Sequence, residues 1–174
     1  NRQVGTSFVD VSGFGGVMFP ASPPTAAETY EIRSDDINDS ATGTGTRTVL
    51  VNSLDSAFNS QNQPVELDGT NWVTVPGTHI RPGFLLSLTA GSNGINIGNI
   101  TMRVAVGGAT RNFIKSEDGR SYDAWFTVPA GKRAYILQTF TLFGKDNSGE
   151  AVLRFRLPGV DSSWVRNSVT PHYQ

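Results

Sequence analysis

The residue types best suited to chemistry lie in an acidic stretch early in the chain. Asp36, Asn38 and Ser40 have the alternate spacing of ligands in a calcium-binding loop. A complete EF-hand loop also needs a glycine at its sixth position and a bidentate glutamate at its twelfth, where this chain has Ala41 and Arg47. The stretch therefore predicts a solvated turn held by Asx-type hydrogen bonds, with a loose calcium site as the alternative.

Few side chains are suited to acid and base catalysis. The only two histidines, His79 and His172, stand in no recognisable arrangement with a nucleophile. The carboxylate pairs Asp35–Asp36 and Glu117–Asp118 are sequence neighbours, and neighbours on a strand point to opposite faces. Nucleophile-elbow, phosphate-loop and dinucleotide patterns are missing. We predict no catalytic residue, no metal ligand and no cofactor, and hence a protein that is not an enzyme.

Composition narrows the class of protein further. The 174 residues are enough for one domain with its own core, and 19 glycines and 10 phenylalanines favour short strands and tight turns. The formal charge of -1 provides no field to attract nucleic acid or an anionic membrane. There is no cysteine, so disulfides and thiol chemistry are excluded. We therefore predict neither a nucleic-acid partner nor a membrane partner.

The elements that must position these residues are β-strands. Alternating apolar and polar residues, bounded by glycine, proline and asparagine, recur about every 10 residues and predict an all-β antiparallel sandwich, jelly-roll-like. The alternation of apolar and polar residues shifts by one position at Gly98–Asn99, which predicts a β-bulge or a break between strands. The predicted strands are Thr29–Arg33, Arg47–Asn52, Phe84–Thr89 and Ala151–Leu157, with hairpins over Pro64–Val75 and Ala124–Phe143.

The two ends of the chain differ from its middle. Residues 1–28 are rich in glycine and proline and predict an extended N-terminal arm, followed by a single sandwich domain over 29–174. Exposed aromatic side chains at such ends predict subunit contacts, with a sugar-stacking platform that includes Trp72 and Trp125 as the alternative. The candidate interface residues are Phe14, Phe19, Trp164, His172 and Tyr173.

Several phrases of the sequence occur in one order that resembles a family of tailed-bacteriophage virion structural proteins. The likeness extends from Pro23 to Ile136 and rests on several motifs, each of which alone is turn chemistry. The matching phrases are Pro23–Ala27, Ser34–Val49, Leu54–Asn59, Val65–Thr70, Gly98–Thr101 and Phe126–Ile136.

This resemblance implies a place on a virus particle. Members of the family linked to head decoration have jelly-roll-like folds and form trimers, so the resemblance implies a homotrimer that binds between subunits of the major capsid protein on the capsid surface. It implies no catalytic residue. A host-surface or glycan-binding module on a tail or fibre is the alternative, and an enzyme is a third and weaker hypothesis.

Overall fold

Nine antiparallel strands make up the regular structure in the described part of this computed structural model, residues 24–122, 131–133, 151–156 and 164–169. The chain divides into two compact units, Asn1–Arg133 and Ala134–Gln174. The strands of the first unit are β1 Tyr30–Ser34, β2 Thr46–Leu54, β3 Ser60–Glu66, β4 Val73–Thr74, β5 Arg81–Ala90, β6 Ile100–Val104 and β7 Thr110–Ile114.

Two antiparallel sheets form the first unit. One has the strand order β4-β1-β6-β7 and the other has the order β3-β2-β5, so both sheets join strands that are distant in sequence. The described residues contain no helix, and therefore none that could cross a bilayer as a helix. The prediction of an all-β antiparallel sandwich is confirmed.

Period-two alternation explains which face of each strand is buried. In β1, Tyr30, Ile32 and Ser34 are buried while the residues between them are partly exposed. The inward rows of the two sheets meet in one hydrophobic core. That core contains Tyr30, Ile32, Val49, Val51, Val65, Leu67, Val75, Leu85, Ile100, Met102 and Ile114.

The predicted hairpin over Pro64–Val75 is wrong. β3 pairs with β2 in one sheet, whereas β4 pairs with β1 in the other, so the segment between them crosses from sheet to sheet. Gly69, at a φ of 56°, makes the turn, and its N–H donates to the carbonyl of Asp39. A favoured turn dipeptide specified the reversal but not the strand that each flank would join.

Other differences concern strands with weak patterns. The phase change at Gly98–Asn99 is a break, since β6 begins at Ile100 and the residues before it form a loop. The sequence pattern predicted no strand over the Asn- and Gln-rich start of β3 or over β7. Both are strands because long-range pairing supplies what local propensity does not.

The second unit contains a two-stranded ladder. β8 Ala151–Arg156 pairs antiparallel with β9 Trp164–Val169, and Trp164 lies opposite Arg156. The predicted strand at Ala151 is confirmed, and Trp164, where no strand was predicted, begins β9. Residues 1–23 of the predicted arm lie outside the described residues. The same holds for the hairpin predicted over Ala124–Phe143, except for its residues 131–133. The single domain over 29–174 stays a prediction.

Candidate functional site

The acidic stretch forms a cluster around one buried carboxylate, Asp39. Its Oδ1 accepts hydrogen bonds from the N–H groups of Thr46 at 2.7 Å and Ile97 at 3.0 Å. Its Oδ2 accepts from the Ser34 hydroxyl at 2.6 Å and from the N–H of Gly98 at 2.8 Å. The side chain is fully buried, and these four donors replace the water it loses. Asp39 therefore fastens the β1–β2 loop to the loop before β6.

Two glycines provide the space for this cluster. A Cβ atom on Gly45 would lie 2.1 Å from Asp39 Oδ1, and one on Gly98 would lie 2.3 Å from Asp35 Oδ1. Both distances are far below van der Waals contact, so the two loops can approach only because these positions lack side chains.

The neighbouring acidic residues make turn contacts of the kind predicted from the sequence. Asp36 Oδ1 accepts from the backbone N–H of Asn38 at 2.8 Å, which is an Asx turn. Asp35 accepts from both the backbone and the side-chain amide of Asn99. In the described part of the chain no three His, Asp or Glu side chains are grouped so that they could hold a metal ion. The hydrogen-bonded turn is confirmed. Because its Asp39 side chain is buried, the turn connects two loops of the structure instead of lying in solvent.

His79, the histidine considered for proton transfer, is a fully buried core residue. Its ring stacks on Tyr30 with centroids 4.8 Å apart, and its Nδ1 lies 2.8 Å from Ser53 Oγ and 3.0 Å from Gln61 Nε2. The Ser53 contact resembles the start of a nucleophile and base pair. Both side chains are completely buried, however, so a substrate cannot reach the hydroxyl.

A buried ion pair lies on the strand next to this ring. Arg111 donates from Nε to Glu28 Oε2 at 2.9 Å and from Nη2 to Glu28 Oε1 at 2.7 Å, a bidentate contact. Glu28 is also joined to His79 by a pair of backbone hydrogen bonds. Burial raises the pKa of the Tyr30 phenol, and the negative charge of Glu28 adds to that effect. The group stabilises one edge of the core.

The buried imidazole predicts a loss of stability in mild acid. Burial lowers the pKa of His79 below its ordinary value of 6.5, and the charged groups around the Tyr30 and His79 rings are Glu28, Arg81 and Arg111. The unfolded chain therefore binds more protons than the folded chain just below pH 6.5. We expect the free energy of unfolding to be constant above that pH and to fall below it by at most about 1.4 kcal/mol per pH unit.

Urea titrations between pH 8 and pH 5 measure this slope. A His79→Phe variant keeps a ring against Tyr30 but cannot be protonated, so its stability should depend less on pH over the same window. Equal slopes in the two proteins would contradict the assignment to His79.

Trp72, proposed as part of a sugar-stacking platform, is engaged within the chain. The guanidinium carbon of Arg103 lies 3.6 Å from the centroid of its ring, and that of Arg33 lies 4.6 Å away. Arg103 is held in turn by Glu31 through an ion pair of 2.5 Å. These contacts explain the partial burial of the indole and use ring surface that a sugar would need.

The outer face of the three-stranded sheet carries an apolar patch, defined as Leu50, Pro64, Phe84, Leu86 and Leu88. Leu86 pairs across the strands with Leu50, and Leu50 pairs with Pro64, so one apolar row crosses the whole sheet. Phe84 is 46% exposed and Leu88 is 49% exposed on the same face of β5. A patch of this kind on a strand face is typical of an interaction surface.

Polar residues border this patch. The side chains of Asn52 and Asn62 hydrogen-bond to each other at 2.8 Å beside it, and Thr48 lies opposite Glu66 one step along the ladder. An apolar centre with a polar rim is the usual anatomy of a protein interface. The sequence signal was the run from Phe84 to Leu88. It has apolar residues on both faces of the strand, which is more than a strand with one solvated face needs.

The residues predicted to form an interface from the sequence are not part of this surface. Phe14, Phe19, His172 and Tyr173 lie outside the described residues, as does Trp125. Trp164 is the first residue of β9, and only its backbone is described. These residues remain predictions.

Comparison with known proteins identifies no relative. No protein-family model, no curated protein and no solved structure matches this chain.

Proposed function

We propose that this chain is a structural protein of a tailed-bacteriophage virion that decorates the capsid and stabilises it by binding between capsid subunits. The order of motifs from Pro23 to Ile136 supports this proposal through its resemblance to virion structural proteins. On this view the protein acts through contact surfaces and carries out no reaction.

The observation that carries the proposal is the apolar patch on the outer face of the three-stranded sheet. Phe84 and Leu88 are large apolar side chains, and their contact with water is unfavourable unless a partner covers them. The open edge of β5 is partly covered, because Ser87 donates to the carbonyl of Gly119 and Ser121 donates to that of Leu85. The face of the strand, rather than its edge, is therefore the surface offered to a partner.

A repeating particle surface gives such a patch two kinds of partner. A second copy of the chain would bury it in a homotrimer, and a capsid subunit would bury it at the particle surface. The near-neutral net charge of -1 permits dense packing of copies without strong mutual repulsion.

Replacing Phe84 and Leu88 together by serine is expected to weaken self-association or binding to stripped heads by at least about tenfold. Fully burying a leucine or phenylalanine side chain contributes about 1.5–3 kcal/mol, and serine forfeits this contribution. Size-exclusion chromatography with light scattering measures the oligomer, and co-sedimentation with heads stripped of their decoration protein measures capsid binding.

Val106→Ser is the matched control, because Val106 is 96% exposed in the turn after β6 and lies away from the patch. This variant should behave like the parent protein. A parent chain that stays monomeric and does not bind stripped heads would overturn the proposal.

The alternative, a glycan-binding module of a tail or fibre, has one observation in its favour. Tyr122 is 51% exposed, and the guanidinium of Arg120 lies 5.0 Å from its ring centroid. Unlike Trp72, which two guanidinium groups approach, this ring has one guanidinium at a longer distance and keeps exposed surface on which a sugar could stack. Binding to host cells or glycan arrays that is lost in Tyr122→Ala and retained in the double serine variant would favour this alternative.

A further inference from the structure

Three buried polar atoms at one end of the core have no hydrogen-bond partner among the described residues. They are the Tyr30 hydroxyl, His79 Nε2 and Arg111 Nη1. Tyr30 and His79 are completely buried and Arg111 is 6% exposed, so bulk water does not hydrate these atoms. The great majority of buried polar groups in folded proteins are hydrogen-bonded, because an unmade bond costs the full desolvation of the group. Three such atoms in one region therefore indicate a bound ligand.

The topology brings the three side chains together on one face of the sheet. Glu28 and Tyr30 are two residues apart on extended chain, so their side chains share a face. Glu28 and His79 exchange two backbone hydrogen bonds, and residues paired in this way also share a face. Arg111 reaches the same place from β7, because Nε and Nη2 of its guanidinium bind the Glu28 carboxylate. The stacked rings and the guanidinium thus meet inside the sandwich.

The hydrogen bonds of Gln61 identify the imidazole nitrogen that carries the proton. Gln61 Nε2 donates to the carbonyl of Thr78 at 2.9 Å, so this atom is the amide nitrogen rather than the amide oxygen. The same nitrogen lies 3.0 Å from His79 Nδ1, which must accept, because two donors would otherwise face each other. The neutral ring therefore carries its proton on Nε2. All three unpartnered atoms are thus able to donate.

Two backbone carbonyls near the ring are available as acceptors. Burial lowers the pKa of His79, and the carbonyls of Val75 and Pro76 oppose that shift, so both carbonyls lie close to the imidazole. Neither of them accepts a hydrogen bond from Nε2. A ligand between these groups has to accept from the N–H donors and also to donate to a carbonyl.

We infer that this end of the core binds internal water, whose oxygen accepts from His79 Nε2 and Arg111 Nη1 and which also bonds to the Tyr30 hydroxyl. A water molecule has both lone pairs and protons, and buried waters typically make about three hydrogen bonds to otherwise unpaired polar groups. The Tyr30 hydroxyl can act toward it as donor or acceptor. Internal water thus connects β1, β7 and the loop after β4.

The charges around the site favour water over a small anion. The Glu28 carboxylate and the Arg111 guanidinium already neutralise each other, so an anion would add an uncompensated charge beside a carboxylate. Arg81, the other cation that acts on Tyr30, is partly exposed and donates to the carbonyl of Ile80. A neutral ligand avoids the cost of burying a charge. The inference goes beyond the proposed function and does not depend on it, because it concerns the core rather than the outer face of the sheet.

NMR spectroscopy of the full ¹⁵N-labelled chain tests the site. Long-range correlations within the imidazole ring report which nitrogen is protonated, and NOEs to the stacked Tyr30 ring identify the His79 resonance. We expect the proton on Nε2. We also expect cross-peaks between this proton and water, with opposite signs in NOE and ROE spectra, as a bound water gives. A proton on Nδ1, or the absence of a cross-peak to water, would overturn the inference.

An exchanging Tyr30 hydroxyl could imitate bound water in those spectra, so the water oxygen is measured as well. The ¹⁷O relaxation dispersion of water detects long-lived bound molecules, and its amplitude should fall by the contribution of about one water in His79→Phe, which lacks the Nε2 donor. Glu31→Gln alters a partly exposed ion pair of the same sheet and should leave the amplitude unchanged. Equal amplitudes in the parent protein and His79→Phe would contradict the inference. A shift of the Nε2 proton that saturates with added chloride would overturn the choice of water by identifying a small anion as the ligand.

Discussion

Replacing Asp39 by asparagine is expected to lower the free energy of unfolding by about 3–5 kcal/mol. Each carboxylate oxygen accepts two hydrogen bonds, and an asparagine must put an NH₂ group in place of one of them. In either orientation that group faces a backbone N–H, of Gly98 or of Thr46 and Ile97. A buried donor would then face a donor, with no water to separate them.

Urea denaturation measures this loss, and Asp36→Asn is the matched control. Asp36 belongs to the same loop, but the only partner of its side chain among the described residues is Asn38, which donates to it in an exposed turn. Its replacement should cost no more than about 1 kcal/mol. Similar costs for the two substitutions would mean that Asp39 contributes no more than a turn residue.

Replacing Glu28 by glutamine is expected to lower the free energy of unfolding by about 2–4 kcal/mol. The Arg111 side chain is only 7% exposed and donates two hydrogen bonds to the Glu28 carboxylate. Removing one partner of a buried pair leaves the other charge uncompensated, which typically costs about 3–5 kcal/mol. The range is reduced here because the Glu28 side chain is 22% exposed, so water screens part of the charge.

Glu31→Gln is the control for this prediction, since Glu31 and Arg103 form the second glutamate–arginine pair of the same sheet. The Arg103 side chain is 26% exposed, so the released guanidinium can be hydrated. We expect a cost of about 1 kcal/mol or less. Adding Arg111→Met to Glu28→Gln should recover part of the lost stability, because it removes the unpaired charge. Absence of that recovery would contradict the role of the pair.

The Asp39 cluster and the Glu28–Arg111 pair, with the adjacent His79, contain described residues whose types suggested chemistry in the sequence. Asp39 and His79 are buried and hydrogen-bonded within the sandwich, whereas Asp35 and Asp36 accept hydrogen bonds in turns nearer the surface. Among the described residues, the apolar patch on the outer face of the three-stranded sheet stays exposed.

Strands with a strong local pattern were predictable from the sequence. β1, β2, β5 and β8 combine alternation with β-branched or apolar residues, and one face of each must leave water whatever the partner strand is. The all-β class and the absence of an EF-hand signature follow from the same local information. The Asx turn at Asp36 was also predictable, because its hydrogen bonds span only two residues.

Contacts between residues far apart in sequence were decided only by the tertiary structure. Asp39 finds two of its four donors at Ile97 and Gly98, 58 and 59 residues along the chain, and nothing local distinguishes it from Asp36. The sheet that each strand joins is decided in the same way, so β4 pairs with β1 rather than with β3. Period-two alternation determines which side chains are buried, whereas the choice of neighbouring strand depends on the packing of the whole sandwich.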